Sequence, residues 1–216
     1  MRYDTVIFDL DGTLLNSLDD LAASVNYALK ECNYPLRTTE EVRTFIGNGV
    51  SVLMRRAIPK EATDAEHSKA LEIFKNYYAH NSTNRTRPYD GVLELLGELK
   101  SKGCSLAIVS NKIDFAVKDL CKEFFDRYID VAVGDSDDTE NKPAPDMVYK
   151  ALDMLGKSRD RAVYIGDTDV DLQTAQNSGM DCISVSWGYR SHNELEGYGA
   201  QMIADNPCDV LEYIKK

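Results

Sequence analysis

Two carboxylates lie two residues apart in Phe8-Asp9-Leu10-Asp11-Gly12-Thr13, directly after the apolar run Val6–Phe8. That run reads as a buried strand. Charge set at the end of a core strand is costly unless it is paired, and a cation is the usual remedy. The pair therefore points to a metal-assisted phosphoryl-transfer site, with Asp9 as the attacking group.

Such a pair acts only where the surrounding elements bring further groups to it. Strands are predicted over residues 3–9, Cys104–Ser110, Ile129–Val133, Ala162–Ile165 and Cys182–Val185. Helical patterns fall between and after them, at Val92–Lys100, Ile113–Phe125, Pro145–Leu155, Val170–Ser178 and Asp209–Lys215. This alternation predicts a parallel sheet covered on both faces. Residues 17 to about 82 break the rhythm and read as helices throughout. Leu18, Leu21, Ala22, Val25, Ala28 and Leu29 recur at helical spacing, with Ser17 as the expected cap. The fold class is thus α/β: a Rossmann-like parallel core (residues 1–16 and 82–216) with an inserted all-helical cap (residues 17–81).

Ligands of an open parallel sheet bind beyond the C-terminal strand ends. Each predicted strand here is followed by polar groups. Asp9 and Asp11 follow the first, and Ser110 and Asn111 the second. A loop with Asp135, Asp137, Asp138, Lys142 and Pro143 follows the third. Gly166-Asp167-Thr168-Asp169-Val170-Asp171 follows the fourth. One cation and one phosphate would explain the grouping.

The bulk numbers narrow the function classes. The 216 residues carry a formal net charge of -11. That balance argues against nucleic acid and against anionic membranes as partners, and any phosphate site must be locally attractive. No signal peptide or apolar span is visible, and the five cysteines show no CxxC spacing. Free thiols and a cytoplasmic location are the expectation. His67, His80 and His192 lack metal-ligand spacing.

These segments together resemble the haloacid dehalogenase superfamily, in its phosphoglycolate phosphatase-like branch. Four motifs carry the likeness in order: Phe8-Asp9-Leu10-Asp11-Gly12-Thr13-Leu14, Val109-Ser110-Asn111-Lys112, Asn141-Lys142-Pro143 and Gly166-Asp167 with Asp171. The likeness extends to residues 14–26, to Ile46–Ala57, to Arg87–Gly91 and to Ser184–Arg190. Asn16 departs from the Asp usual there. The resemblance implies that Asp9 forms an aspartyl-phosphate while Asp11 protonates the leaving alkoxide and later activates water. It implies Mg2+ held by Asp9, the Asp11 backbone carbonyl and Asp167. Ser110 and the Asn111 amide would hold phosphoryl oxygens, and Lys142 would supply fixed positive charge. Lys112 would place charge near the leaving group. Asp171 would steady Lys142 or a water on the cation. Thr13 matches the phosphatase pattern. Gly47, Asn48 and Gly49 would form a cap loop that reads the substrate, while Arg55 and Asp135 are further candidates.

The implied activity is magnesium-dependent hydrolysis of a small phosphorylated metabolite, with 2-phosphoglycolate as the leading candidate, by a monomer or homodimer. Pyrophosphate, nucleoside monophosphates and sugar phosphates stay open, as do a sugar phosphomutase and a non-catalytic phosphate-binding protein. Asp11 argues against a dehalogenase, which needs no leaving-group acid. The long helical insertion argues against a receiver domain.

Overall fold

The computed structural model describes residues 1–215. The chain opens with β1 (Thr5–Phe8) and the short β2 (Leu15–Asn16). Four helices follow: α1 (Leu18–Glu31), α2 (Thr39–Phe45), α3 (Gly49–Ala57) and α4 (Asp64–Asn81). Then come β3 (Arg87–Pro88), α5 (Val92–Ser101), β4 (Ser105–Ile113), α6 (Asp114–Phe124), β5 (Val131–Asp135) and α7 (Asp146–Leu155). The chain ends with β6 (Ala162–Gly166), α8 (Asp169–Ser178), β7 (Asp181–Val185), α9 (His192–Gly197), β8 (Ile203–Ala204) and α10 (Pro207–Lys215).

Two compact units result, one of Met1–Leu15 with Pro88–Lys216 and the other of Asn16–Arg87. In the first, six strands pair in the order β5-β4-β1-β6-β7-β8, all parallel. Side chains alternate across this sheet as a period of two demands. Val6, Phe8, Leu106, Ile108, Val163 and Ile165 join one apolar cluster with α5, α6 and α10. Ile7, Ala107, Val109 and Tyr164 join another with α7 and α8. Both faces are covered, which keeps the strand ends as the polar edge.

The second unit has its own core, built from the apolar stripes of α1, α2, α3 and α4. Thr38 and Thr63 form capping boxes with Glu41 and Glu66 at the starts of α2 and α4. Ser17 stands at the N-cap of α1 but makes no capping bond. Its backbone (φ -110°, ψ 5°) is not the extended geometry that aims a hydroxyl at the third amide.

The structure departs from the expected limits in several places. The return to the sheet unit falls at Arg87–Pro88 rather than at residue 82. Buried Asp20 explains this: one carboxylate oxygen accepts the Arg85 and Thr86 amides and the Thr86 hydroxyl, each at 2.9 Å. Those bonds tie residues 85–86 to α1. β5 starts at Val131 instead of Ile129, because Asp130 is occupied in accepting the Leu106 amide at 2.9 Å. β8 and α9 were not foreseen. Two and six residues are too short to show a hydrophobic period.

Candidate active site

Asp9 lies one residue beyond β1, and its amide still donates to the Ile165 carbonyl of β6 at 2.8 Å. Because β1 sits between β4 and β6, the segments leaving these three strands adjoin. Lys142 enters from the segment joining β5 to α7. Its Nζ is 2.6 Å from Asp9 Oδ1, 2.8 Å from Asp171 Oδ1 and 3.0 Å from the Tyr164 hydroxyl. All four side chains are buried. The lysine's backbone is fixed by Asn111, whose side chain accepts the Lys142 amide at 2.7 Å and donates to its carbonyl at 3.0 Å.

Asp167 and Asp171 flank the start of α8. Thr168 caps that helix, and its amide and hydroxyl both donate to Asp171 Oδ2. Tyr164 and Lys142 take the other oxygen, so Asp171 is occupied on both sides. Asp167 is held differently. The Thr13 hydroxyl donates to its Oδ1 at 3.2 Å, and the Tyr189 amide donates to its Oδ2 at 2.6 Å. Backbone also approaches it closely. Gly12, at φ +91°, and Gly188 both lie where an added Cβ would collide with the Asp167 carboxylate.

Asp11 points elsewhere: its Oδ2 pairs with Lys112 Nζ at 3.0 Å, both side chains nearly enclosed. Ser110 is buried at the same strand end, and its Oγ accepts the Lys112 amide at 3.3 Å. The β4–β5 register shifts between Val109 and Ile113. Such an irregularity re-aims side chains at a strand end.

The sequence profile described as haloacid dehalogenase-like hydrolase matches residues 6–185. The chain belongs to the haloacid dehalogenase superfamily. A phosphoglycolate phosphatase of Haemophilus influenzae (strain 86-028NP) is 36% identical, the match covering 97% of each chain. One of Mannheimia succiniciproducens is 33% identical over 99% of each. A crystal structure from Lactobacillus delbrueckii subsp. bulgaricus, provisionally assigned as a phosphoglycolate phosphatase, superposes with a TM-score of 0.95 at 38% identity, covering 99% of both chains. The chain is thus a phosphatase of this superfamily, with the aspartate constellation of its magnesium-dependent mechanism. Among the described residues, no helix is long and apolar enough to cross a membrane.

As in a haloacid dehalogenase-type hydrolase, the donor set fits a hard divalent cation. Asp9, Asp167 and Asp171 bring carboxylate oxygens within 4.8 Å of one another, all buried. With all three carboxylates ionised, the single Lys142 ammonium leaves two negative charges for a cation to balance. The Asp11 carboxylate is outside this cluster, so the sequence expectation for Asp11 concerns its backbone carbonyl alone. Burial pushes the Asp9 carboxyl up to about 7, against the pull of Lys142. Burial, then Asp171 and Asp9, holds Asp167 well above the carboxylate range.

A carboxyl whose folded pKa is raised contributes stability at low pH that is lost as pH climbs from about 4 through about 7. A divalent cation offsets that loss. Millimolar Mg2+ is therefore expected to raise Tm more at pH 8 than at pH 5, with EDTA reversing the gain. At a hundredfold excess over Kd the stabilisation is about 2.7 kcal/mol. For a chain of this size that is on the order of 5–10 °C. An equal or larger gain at pH 5 would contradict this electrostatic account.

The site gathers Asp9, Asp11, Thr13, Ser110, Asn111, Lys112, Lys142, Asp167 and Asp171 at one sheet edge. Gly47, Asn48 and Gly49 belong to the helical unit, at the α2–α3 turn, where the two glycines have φ +129° and +80°. Asn48 accepts from Arg56 at 2.9 Å, and Arg55 pairs with Asp64. Asp135 closes β5 opposite Ile113. Tyr164, Gly188 and the Tyr189 amide were not singled out from sequence.

Proposed function

We propose that this chain hydrolyses small phosphate monoesters, with 2-phosphoglycolate foremost, through a phosphoryl group carried on Asp9. The observation that carries the reading is the buried Asp9 carboxylate gripped by Lys142 at 2.6 Å. The named relatives support the substrate class.

In this reading Asp9 attacks phosphorus in line, forming its own P–O bond as the ester P–O bond breaks. Asp11 gives its proton to the departing alkoxide. It then takes a proton from water, which attacks the aspartyl-phosphate, releases inorganic phosphate and restores Asp9. The Ser110 hydroxyl and Asn111 amide hold phosphoryl oxygens. Lys142 balances charge on Asp9 and on the incoming phosphate. Thr13 orients Asp167. Asp171 and Tyr164 hold the Lys142 ammonium in place. Mg2+ would be held by Asp9, Asp167 and the Asp11 carbonyl, and supplies charge neutralisation at the phosphoryl group. Asp171 is the less apt ligand, since each of its oxygens already accepts two hydrogen bonds, whereas each Asp167 oxygen accepts one from Thr13 or Tyr189. Gly47, Asn48 and Gly49 are proposed to read the substrate.

The test is release of inorganic phosphate, with and without Mg2+, from 2-phosphoglycolate, pyrophosphate, nucleoside monophosphates and sugar phosphates. The expected result is Mg2+-dependent release with kcat/KM for 2-phosphoglycolate about tenfold or more above the rest. Comparable values across the panel would defeat the narrow substrate. A rearranged sugar phosphate in place of free phosphate would make the chain a mutase.

A further inference from the structure

Two buried lysines serve this sheet edge, and only one has its contacts explained by the chemistry so far. Lys142 is engaged by Asp9, Asp171 and Tyr164. Lys112 is as deeply enclosed, yet it meets the carboxylate that acts on the leaving group and not the one that attacks phosphorus. An ammonium held out of water demands a nearby negative charge. It also carries three donors, so it can serve a second carboxylate beside the first.

The backbone under Lys112 is built to hold it there. Its amide donates to Ser110 Oγ. Its carbonyl lies against Gly134, where an added Cβ would collide with Lys112 O and the Asp114 backbone. The Gly134 amide donates to Asp114 Oδ1 at 3.0 Å, closing the strap between β4 and β5. The register shift ending at Ile113 leaves residues 110–112 directed by this packing rather than by the regular ladder. The ammonium is a fixed charge beside the position where Asp11 must meet the ester oxygen.

We propose that Lys112 is the specificity-determining residue of the site, selecting esters whose leaving group carries a carboxylate next to the ester oxygen. The inference rests on the assignment of Asp11 as the leaving-group acid. In a glycolate ester the carboxylate is one carbon from the oxygen that departs, within reach of an ammonium 3.0 Å from Asp11. An ester of the same size with a neutral hydroxymethyl group there gains nothing from that charge. Among the described residues of this unit, the remaining buried cation, Arg190, lies 3.9 Å from Asp169 and donates to the Tyr189 carbonyl at 3.4 Å.

The test compares 2-phosphoglycolate with 2-hydroxyethyl phosphate. Binding is measured by calorimetry on the Asp9→Asn protein with Mg2+, alone and combined with Lys112→Met or Lys112→Arg; turnover is measured with Asp9 intact. The Asp9→Asn protein should bind 2-phosphoglycolate at least about tenfold more tightly than the neutral ester. Lys112→Met should bring the two within about twofold, and Lys112→Arg should restore most of the preference. The same collapse should appear in the kcat/KM ratio. If Lys112→Met weakens both esters equally, the lysine merely holds Asp11 and the proposal falls. It falls too if there is no preference to begin with. Lysine-dependent binding selectivity without any turnover would instead defeat the hydrolytic reading and leave Lys112 only as the residue that recognises the carboxylate.

Discussion

Asp9→Asn is expected to lower Mg2+-dependent phosphate release by ~10^4-fold or more, the scale for losing a covalent nucleophile. The amide keeps the shape of the side chain and an oxygen that can accept from Lys142, but it has no electron pair basic enough to attack phosphorus. The fold should survive, and the stability change has a defined sign. The Asp9 carboxyl is pushed up to about 7, chiefly by burial, with Asp171 and Asp11 adding to Lys142's failure to compensate. Its ionisation above neutrality therefore costs the folded, metal-free protein stability. Asn cannot ionise. In EDTA at pH 8 the variant should melt at or above the parent's Tm, while the gain from Mg2+ shrinks. Phosphate-release assays and melting curves check both halves. Turnover within about a hundredfold of the parent would show that another group attacks.

Lys142→Met should have the second largest effect, and on stability the largest. The lysine's own burial works against its charge, but Asp171 and Asp9 outweigh this and hold its pKa well above the usual lysine value. The ammonium is therefore present at every working pH. Removing it leaves Asp9 and Asp171 buried without their shared counter-charge. Breaking one side of a buried ion pair typically costs about 3–5 kcal/mol. For this chain length that is a Tm fall of roughly 10 °C or more. Turnover should drop by ~10^3-fold or more, because phosphate must then approach an uncompensated acidic cluster. Adding Asp171→Asn should recover part of the Tm and none of the turnover. A Lys142→Met protein that melts within about 1 °C of the parent would refute the charge balance described here.

The sequence made the site's charged members legible because their types are costly at strand ends. Asp9 and Asp167 each declare themselves next to an apolar run, and Lys142 through its Asn141-Lys142-Pro143 setting. What escaped notice has no such signature. Tyr164 occupies a strand position that any large apolar residue could fill, and only its hydroxyl's contact with Lys142 and Asp171 shows its use. The Tyr189 amide is a backbone group, and every residue but proline has one. Gly188 gains meaning only from the closeness of Asp167. Asn111 was singled out for its amide, yet its side chain also clasps the Lys142 peptide. The sheet core was legible from alternation. The limits that moved did so through single carboxylates, Asp20 and Asp130, whose long-range partners no local pattern reveals.

The strand order has a consequence for how the protein comes into being. β1 precedes both of its neighbours in the sheet, which begin only at Ser105 and Ala162. The nascent acidic turn after β1 waits for more than half the chain before its lysine arrives, and longer for the Tyr189 amide that secures Asp167. Pairings so distant in sequence form late and slowly. The complete site therefore cannot assemble before the segment through Tyr189 has been made, and no product ending ahead of Asp167 can acquire it.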